Sequence, residues 1–239
     1  TGSTGDGYAF AKAFGHSVTP IVPSLISLET EEEWPKELMG LSLKNVTLNA
    51  YNKKKKLVYS ELGEMLFTHF GVSGPLVLSA SSRIADDPAG ARLTIDLKPG
   101  LDIDELDCRL VRDFQQNSRK SFQNALDGLF PRRMIPVMVQ LSGIAADTET
   151  NSVTREQRHA FAALIKCVPI TVKAAMPIDQ AIITRGGINV KEIDPSTMES
   201  KLVSGLYFAG EVIDVDAYTG GFNIQIACST GVLAGRSII

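Results

Sequence analysis

Cysteine is scarce in this chain of 239 residues: Cys108, Cys167 and Cys228 are odd in number, widely spaced and free of any C-x-x-C. That pattern excludes a disulfide framework and a thiolate zinc site, and it points to a reducing compartment. Long apolar runs are missing as well, since none approaches the ~18–20 residues that a membrane span requires. The opening Thr1-Gly2-Ser3-Thr4-Gly5-Asp6-Gly7 has neither the basic nor the apolar part of a signal peptide. A cytoplasmic protein without membrane contact is the expectation. An excess of one charge is also lacking: 24 Lys plus Arg against 27 Asp plus Glu leave −3, so no global field draws nucleic acid or an anionic bilayer. A small molecule is the expected partner. Internal repeats and low-complexity linkers are absent, and 44% hydrophobic residues with Gly 20 and Pro 11 exclude disordered, collagen-like and coiled-coil chains.

What is present reads as an interrupted domain. Tyr8-Ala9-Phe10-Ala11-Lys12-Ala13-Phe14 has helical spacing, with Thr4 or Asp6 placed to cap it and Gly15 to stop it. From Ser17 to about Leu97 the pattern turns to alternating, β-branched stretches such as 42–51, 57–59 and 92–97. Lys53-Lys54-Lys55-Lys56, the one strong basic run, follows Asn52 and reads as the solvated tip of a hairpin. Ser73-Gly74-Pro75 starts a helix within this β-rich stretch. From Asp102 to about Leu164, Leu106, Leu110 and Phe114 mark helical periodicity, with Met134 and Met138 in the helical core. Strand-like sequence returns from Val168 to Ile193, and a closing helix is expected from Asn223 to Ile239.

The chemistry-bearing segment is the tail, Gly205-Leu206-Tyr207-Phe208-Ala209-Gly210-Glu211 followed by Tyr218-Thr219-Gly220-Gly221-Phe222-Asn223. The apolar run Leu206–Ala209, bounded by glycines, suits a strand buried on both faces of a parallel sheet. An acid just past its end, Glu211, lies where open α/β sheets bind ligands and can accept hydrogen bonds from sugar or ribityl hydroxyls; capping the next turn is the alternative. Gly220 and Gly221 allow close backbone approach to a ligand or simply form a turn, and the helix start at Asn223, expected as the N-cap, favours negative charge.

Thr184 to Ser200 (TRGGINVKEIDPSTMES) joined to Gly205 to Ala227 (GLYFAGEVIDVDAYTGGFNIQIA) resembles the bacterial family of FAD-dependent oxidoreductases that includes the BaiN-type and aminoacetone oxidase-type proteins. The likeness extends to Thr1–Tyr8 (TGSTGDGY), Gly15-His16 and Leu66–Ser81 (LFTHFGVSGPLVLSAS). It implies a discontinuous Rossmann-like FAD-binding domain with an inserted β-barrel-like domain and a further helical insertion. In this chain the pieces fall at residues 1–20 with 201–239, at 21–98 with 165–200, and at 99–164. A strand followed by G-x-G-x-x-G is not present: Gly5-Asp6-Gly7-Tyr8-Ala9-Phe10 begins that way and ends in Phe. The family carries this pyrophosphate-holding element in an amino-terminal segment, which is therefore expected to precede Thr1 in the complete protein.

The resemblance implies a flavin site built from Gly210, Glu211, Gly220, Gly221, Phe222 and Asn223, with Thr4 and Gly5 at the opening loop. His69, just before the Ser73-Gly74-Pro75 helix start, could exchange a proton with substrate or be a buried structural histidine. Arg185 could bind an acidic substrate or a flavin oxygen, or be a charge at a strand end. The expected function is hydride transfer between a small organic substrate or NAD(P)H and FAD, the chain being the carboxyl-terminal major part of the enzyme and inactive when isolated. A non-catalytic binding or assembly module, truncated or degenerate, is the alternative.

Overall fold

The computed structural model describes residues 3–238. In chain order the elements are α1 (Asp6–Ala13), β1 (Val22–Ser24), β2 (Leu28–Thr30), α2 (Trp34–Glu37), β3 (Ser42–Tyr51) and β4 (Leu57–Phe67). There follow β5 (Gly71–Ser73), α3 (Pro75–Arg83), β6 (Arg92–Asp96), α4 (Ile103–Gln116), α5 (Phe122–Ala125) and α6 (Ile135–Ser142). The chain ends through α7 (Arg155–Lys166), β7 (Val168–Ala175), β8 (Ile183–Arg185) and α8 (Phe222–Ser237).

The centre is a closed barrel of mixed connectivity, β2-β5-β4-β3-β6-β7, in which every neighbouring pair is antiparallel. Alternation along β3 puts Leu43, Val46, Leu48 and Ala50 inside. Its register against β4 shifts between Leu43 and Val46, and Asn45 takes up the extra residue at φ 55, a conformation that asparagine tolerates. The four lysines form the β3–β4 turn, closed by the Lys55 amide donating to the Asn52 carbonyl at 2.8 Å. α3 starts after Gly74 with Pro75 in its first turn and buries Leu76, Val77 and Ala80 against the barrel.

Between β6 and β7 the chain leaves the barrel as helices α4 to α7. Reciprocal capping boxes, Asp102 with Glu105 and Thr154 with Gln157, start α4 and α7. Their apolar faces bring together Phe114, Phe122, Phe130 and Phe161 as edge-to-face pairs with centroids 5.1–6.2 Å apart. This helical core is continuous with the barrel core.

A second, smaller core joins the two ends of the chain: Ala11 of α1 packs with Ile188, Ile193, Met198, Phe208, Ile213 and Ala234. Close approach of three backbones makes this possible. A Cβ on Gly186 would lie 2.0 Å from the Pro20 carbonyl oxygen, and one on Gly187 2.5 Å from that of Val212. His16 locks the same region. Its Nε2 lies 2.8 Å from Ser200 Oγ and its Nδ1 3.1 Å from Glu192 Oε2, while its ring meets the edge of Phe208 at 4.8 Å.

Three local expectations are corrected. Residues 206–209 are not a strand; only Tyr207 forms a bridge, antiparallel to Glu199, because no parallel neighbour lies beside the segment among the described residues. α1 is preceded at its cap by Gly5 in the left-handed region, with no side-chain cap from Thr4 or Asp6. α8 is likewise preceded by Gly221 at φ 88, and Asn223 lies inside the helix instead of capping it.

Candidate functional site

Phe208 anchors the tail in the second core, and the chain then turns through Gly210 at φ 76. The Gly210 amide donates to Thr230 Oγ1 at 2.9 Å, which fastens this turn to the middle of α8. Glu211 comes next. Its Oε1 accepts the Thr184 amide at 2.7 Å and the Thr184 hydroxyl at 3.3 Å, and its backbone carbonyl accepts from Tyr8 Oη at 3.5 Å. The carboxylate is thus held by β8, while its second oxygen has no protein donor among the described residues.

Two clefts meet at Glu211. One, of about 770 Å³, runs along the opening loop and is lined by Thr4, Gly5, Gly7, Tyr8, Thr184 and Glu211. The other, of about 510 Å³, is lined by Gly210, Glu211, Gly220, Gly221, Asn223 and Ile224 among others. Together they form one trough past the carboxylate. At its far end α8 begins with the amides of Phe222, Asn223 and Ile224 lacking backbone acceptors among the described residues, since Gln225 makes the first helical bond, to Gly221, at 3.0 Å. Gly221 needs its left-handed backbone, and a Cβ there would meet nothing within 4 Å, so the residue borders open space.

Asn223 shapes this end in a way that spacing did not disclose. Its Oδ1 accepts the Ala217 amide and its Nδ2 donates to the Ala217 carbonyl, both at 2.8 Å. The loop carrying Tyr218, Thr219 and the two glycines is therefore clamped onto the helix it precedes. Behind it, Thr219 Oγ1 lies 3.2 Å from Ser79 Oγ, and Tyr59 meets the edge of Tyr218 at 6.1 Å. Burial, reinforced by Glu61, pushes the Tyr59 phenol well above its ordinary range, so it stays protonated and donates to Glu61 Oε2 at 3.2 Å.

Tyr218 also borders a third cleft, of about 750 Å³, into which Phe222, Arg185, Lys56 and Arg83 face. The structure thus gathers Thr4, Gly5, Gly210, Glu211, Gly220, Gly221 and Asn223 around one trough, with Phe222 and Arg185 in the neighbouring cleft. His69 is apart from them. It sits exposed on the β4–β5 turn against the edge of Phe70, 4.9 Å between centroids, and lines none of the three clefts. It is therefore not the buried structural histidine that the sequence allowed. Sequence reasoning gave no site role to Thr184, Tyr218, Arg83 or Lys56 and missed the clamping role of Asn223; Thr184, Tyr218 and Asn223 lay within the quoted motifs and Lys56 in the basic run, whereas Arg83 gave no local signal.

Residues 22–183 match the family described as HI0933-like protein barrel and H2TH domain. The chain belongs to the HI0933-like family. This is the flavoprotein family to which the motifs between Thr184 and Ala227 point, and the matched span covers the barrel and the helices inserted between β6 and β7. The 3-dehydro-bile acid delta(4,6)-reductase of Clostridium scindens is 29% identical over 239 residues, 99% of this chain and 58% of that protein. The ribosomal RNA dihydrouridine synthase of Haemophilus influenzae is 31% identical over 239 residues, 99% of this chain and 56% of that protein. The protein of that name from Escherichia coli is 29% identical over 238 residues, 100% of this chain and 57% of that protein. The chain therefore spans little more than half the length of these curated relatives.

Proposed function

We propose that this HI0933-like chain is the carboxyl-terminal major part of an FAD-dependent oxidoreductase, and that FAD lies in the trough passing Glu211. The position of the Glu211 carboxylate, where the two clefts join, carries this reading. The donor set fits the group. The free Glu211 oxygen can accept from a ribose or ribityl hydroxyl, Thr4 and Gly5 border the nucleotide end, and the glycine-flanked start of α8 offers amides and a positive dipole end to the pyrimidine edge. When bound, FAD would supply hydride exchange at its N5 with a small organic substrate or NAD(P)H. The protein's own part is orientation and charge: the α8 terminus favours negative charge beside it by ~0.3–1 kcal/mol, up to ~2 where partly buried.

In this reading residues 1–20 with 201–239 are part of a Rossmann-like FAD-binding domain, residues 21–98 with 165–200 are the β-barrel-like domain inserted in it, whose Ile188, Ile193 and Met198 pack into the core shared with the chain ends, and 99–164 the helical insertion. The remainder of that domain, preceding Thr1, covers α8. Support comes from the helix itself: of its 16 residues only Ala234 is buried, while Ile224 is 72% and Val232 53% exposed. The visible spectrum of the purified complete protein tests the proposal. Absorption of oxidised flavin at near one equivalent is expected, and a colourless protein that takes up no FAD on titration would leave the non-catalytic module as the better reading.

A further inference from the structure

The third cleft, on the other side of Tyr218 from the glycine-lined trough, has no part in holding FAD in the reading above. Its cations come from three separate elements: Lys56 from the β3–β4 turn, Arg83 from the end of α3 and Arg185 from the end of β8. Arg158 and Lys166, elsewhere in the fold, are paired with Asp107 at 2.7 Å and with Asp96 at 2.6 Å. Around this cleft Lys56 and Arg83 are exposed and Arg185 is half-buried, and acidic partners are fewer. Lys56 and Arg83 have no acidic partner among the described residues, and the Arg83 guanidinium lies against the Tyr218 ring and donates to its hydroxyl. Arg185 Nη1 is 3.5 Å from Asp86 Oδ2, on a side chain that is 79% exposed, so the contact is long and easily exchanged. The other carboxylate lining the cleft, Asp216, accepts from the Ser24 hydroxyl at 3.1 Å. Three cations thus converge on two carboxylates, one of them already hydrogen-bonded. Ser82, whose carbonyl lies 3.5 Å from Arg185 Nη1, also lines the cleft, and the rest of its wall is apolar or aromatic, Leu57, Val58, Ala217 and Phe222 with the Tyr218 ring.

We propose that this cleft is the substrate chamber and that the substrate is an anion, a carboxylate or a phosphate, on an apolar and flat body. The anionic group pairs with Arg83 and Arg185, whose forked donors match both kinds of oxyanion, while the body lies against Tyr218 and Phe222. Tyr218, which lines both this cleft and the trough, then forms the boundary across which substrate and cofactor face each other. The inference rests on the trough being the FAD site.

The test is calorimetric titration of the complete protein, at low ionic strength, with 1-naphthoate, 1-naphthyl phosphate and the neutral 1-naphthamide. At least one anion is expected to bind, the tighter of the two identifying the oxyanion, with the amide at least tenfold weaker. Arg83→Gln and Arg185→Gln should each weaken the anion about tenfold, whereas Lys54→Gln, at the hairpin tip and outside the cleft, should leave it unchanged. Absence of binding by both anions, or an amide as tight as they are, overturns the proposal. So does equal weakening by Lys54→Gln, which would mean general attraction to a basic surface such as nucleic acid would feel. FAD titrations of the same variants separate the two readings: unchanged FAD affinity in Arg83→Gln supports a chamber distinct from the trough, and a parallel tenfold loss of FAD affinity overturns it. If Glu211→Ala and Gly221→Val both bind FAD like the parent, the trough assignment fails and takes the chamber's role with it, whatever the anions do.

Discussion

His16 is almost wholly enclosed, yet both its ring nitrogens are engaged. Ser200 Oγ accepts the amides of Leu202 and Val203 at 3.0 and 2.9 Å, so its proton is directed to Nε2, which leaves Nδ1–H to donate to Glu192. Hydrogen bonding from Ser17, through its side chain and its amide, holds the Glu192 carboxyl below its ordinary range, and His16 adds to the effect. The arrangement of serine, imidazole and carboxylate looks nucleophilic, but the serine oxygen is buried and already occupied by two amides. Its work is structural, tying α1 to the segment around residue 200. His16→Ala should cost about 2–4 kcal/mol, a cavity beside Phe208 plus two lost hydrogen bonds, and thermal or denaturant melting checks it. A loss under ~0.5 kcal/mol would contradict the role. At this scale the sequence disclosed residue types better than partners. The Glu211 acid and the Gly220-Gly221 pair stand out by type and spacing, but the Asn223 clamp and the Glu211–Thr184 bond join residues whose pairing depends on the folded path.

Elements governed by local rules were legible. The Lys53–Lys56 turn, α3 after Gly74-Pro75 and the apolar stripe of α4 follow from turn chemistry, a starting proline and 3–4 spacing, and each is present. The run at 206–209 was misread, because an apolar stretch between glycines specifies burial without specifying a strand partner. Closure of the barrel was not legible in the strand pattern, since β2 and β7 pair across the whole chain from Thr30 to Val168, and it was expected only through the family resemblance. The helical insertion is held by one tie whose pH dependence can be stated. Arg158 Nε and Nη2 donate to the two oxygens of Asp107 at 2.7 and 3.1 Å, and hydrogen bonding by Arg158 lowers the Asp107 carboxyl below its ordinary range. A depressed carboxyl contributes stability above its unfolded value, ~3.9, and loses it as pH falls through the folded value. Arg158→Gln should therefore lower stability by about 1–3 kcal/mol at neutral pH, with the gap to the parent closing as pH falls to about 2. Denaturant melts at both pH values check this, and a gap that persists in acid would contradict it.

At the scale of the molecule, residues near both ends of the chain build one small core beside the barrel, with Ala11 and Ala234 in it together. The interrupted domain proposed above would account for that meeting, and the family match over 22–183 covers what lies between. Residues 1–239 by themselves are expected to bind FAD weakly, since the contacts that would hold its pyrophosphate are not among theirs. Charge-assisted hydrogen bonds of ~1.5–3 kcal/mol each, two or three of them, amount to several decades of affinity. FAD retained in stoichiometric amount by this chain through gel filtration would show otherwise.

In the proposed arrangement FAD passes Glu211 and ends at Gly221. The most direct test is FAD affinity, with melting as control, for the complete protein and its Glu211→Ala and Gly221→Val variants. Losing a hydrogen bond to a charged acceptor should weaken FAD by about 1.5–3 kcal/mol in Glu211→Ala, roughly ten- to hundredfold. A branched side chain bordering the trough, at a backbone angle suited to glycine, should weaken it at least as much in Gly221→Val, with both proteins still folded. Parental FAD affinity in both variants would mean that Glu211 and Gly221 only shape the turn before α8, and the trough would not be the flavin site.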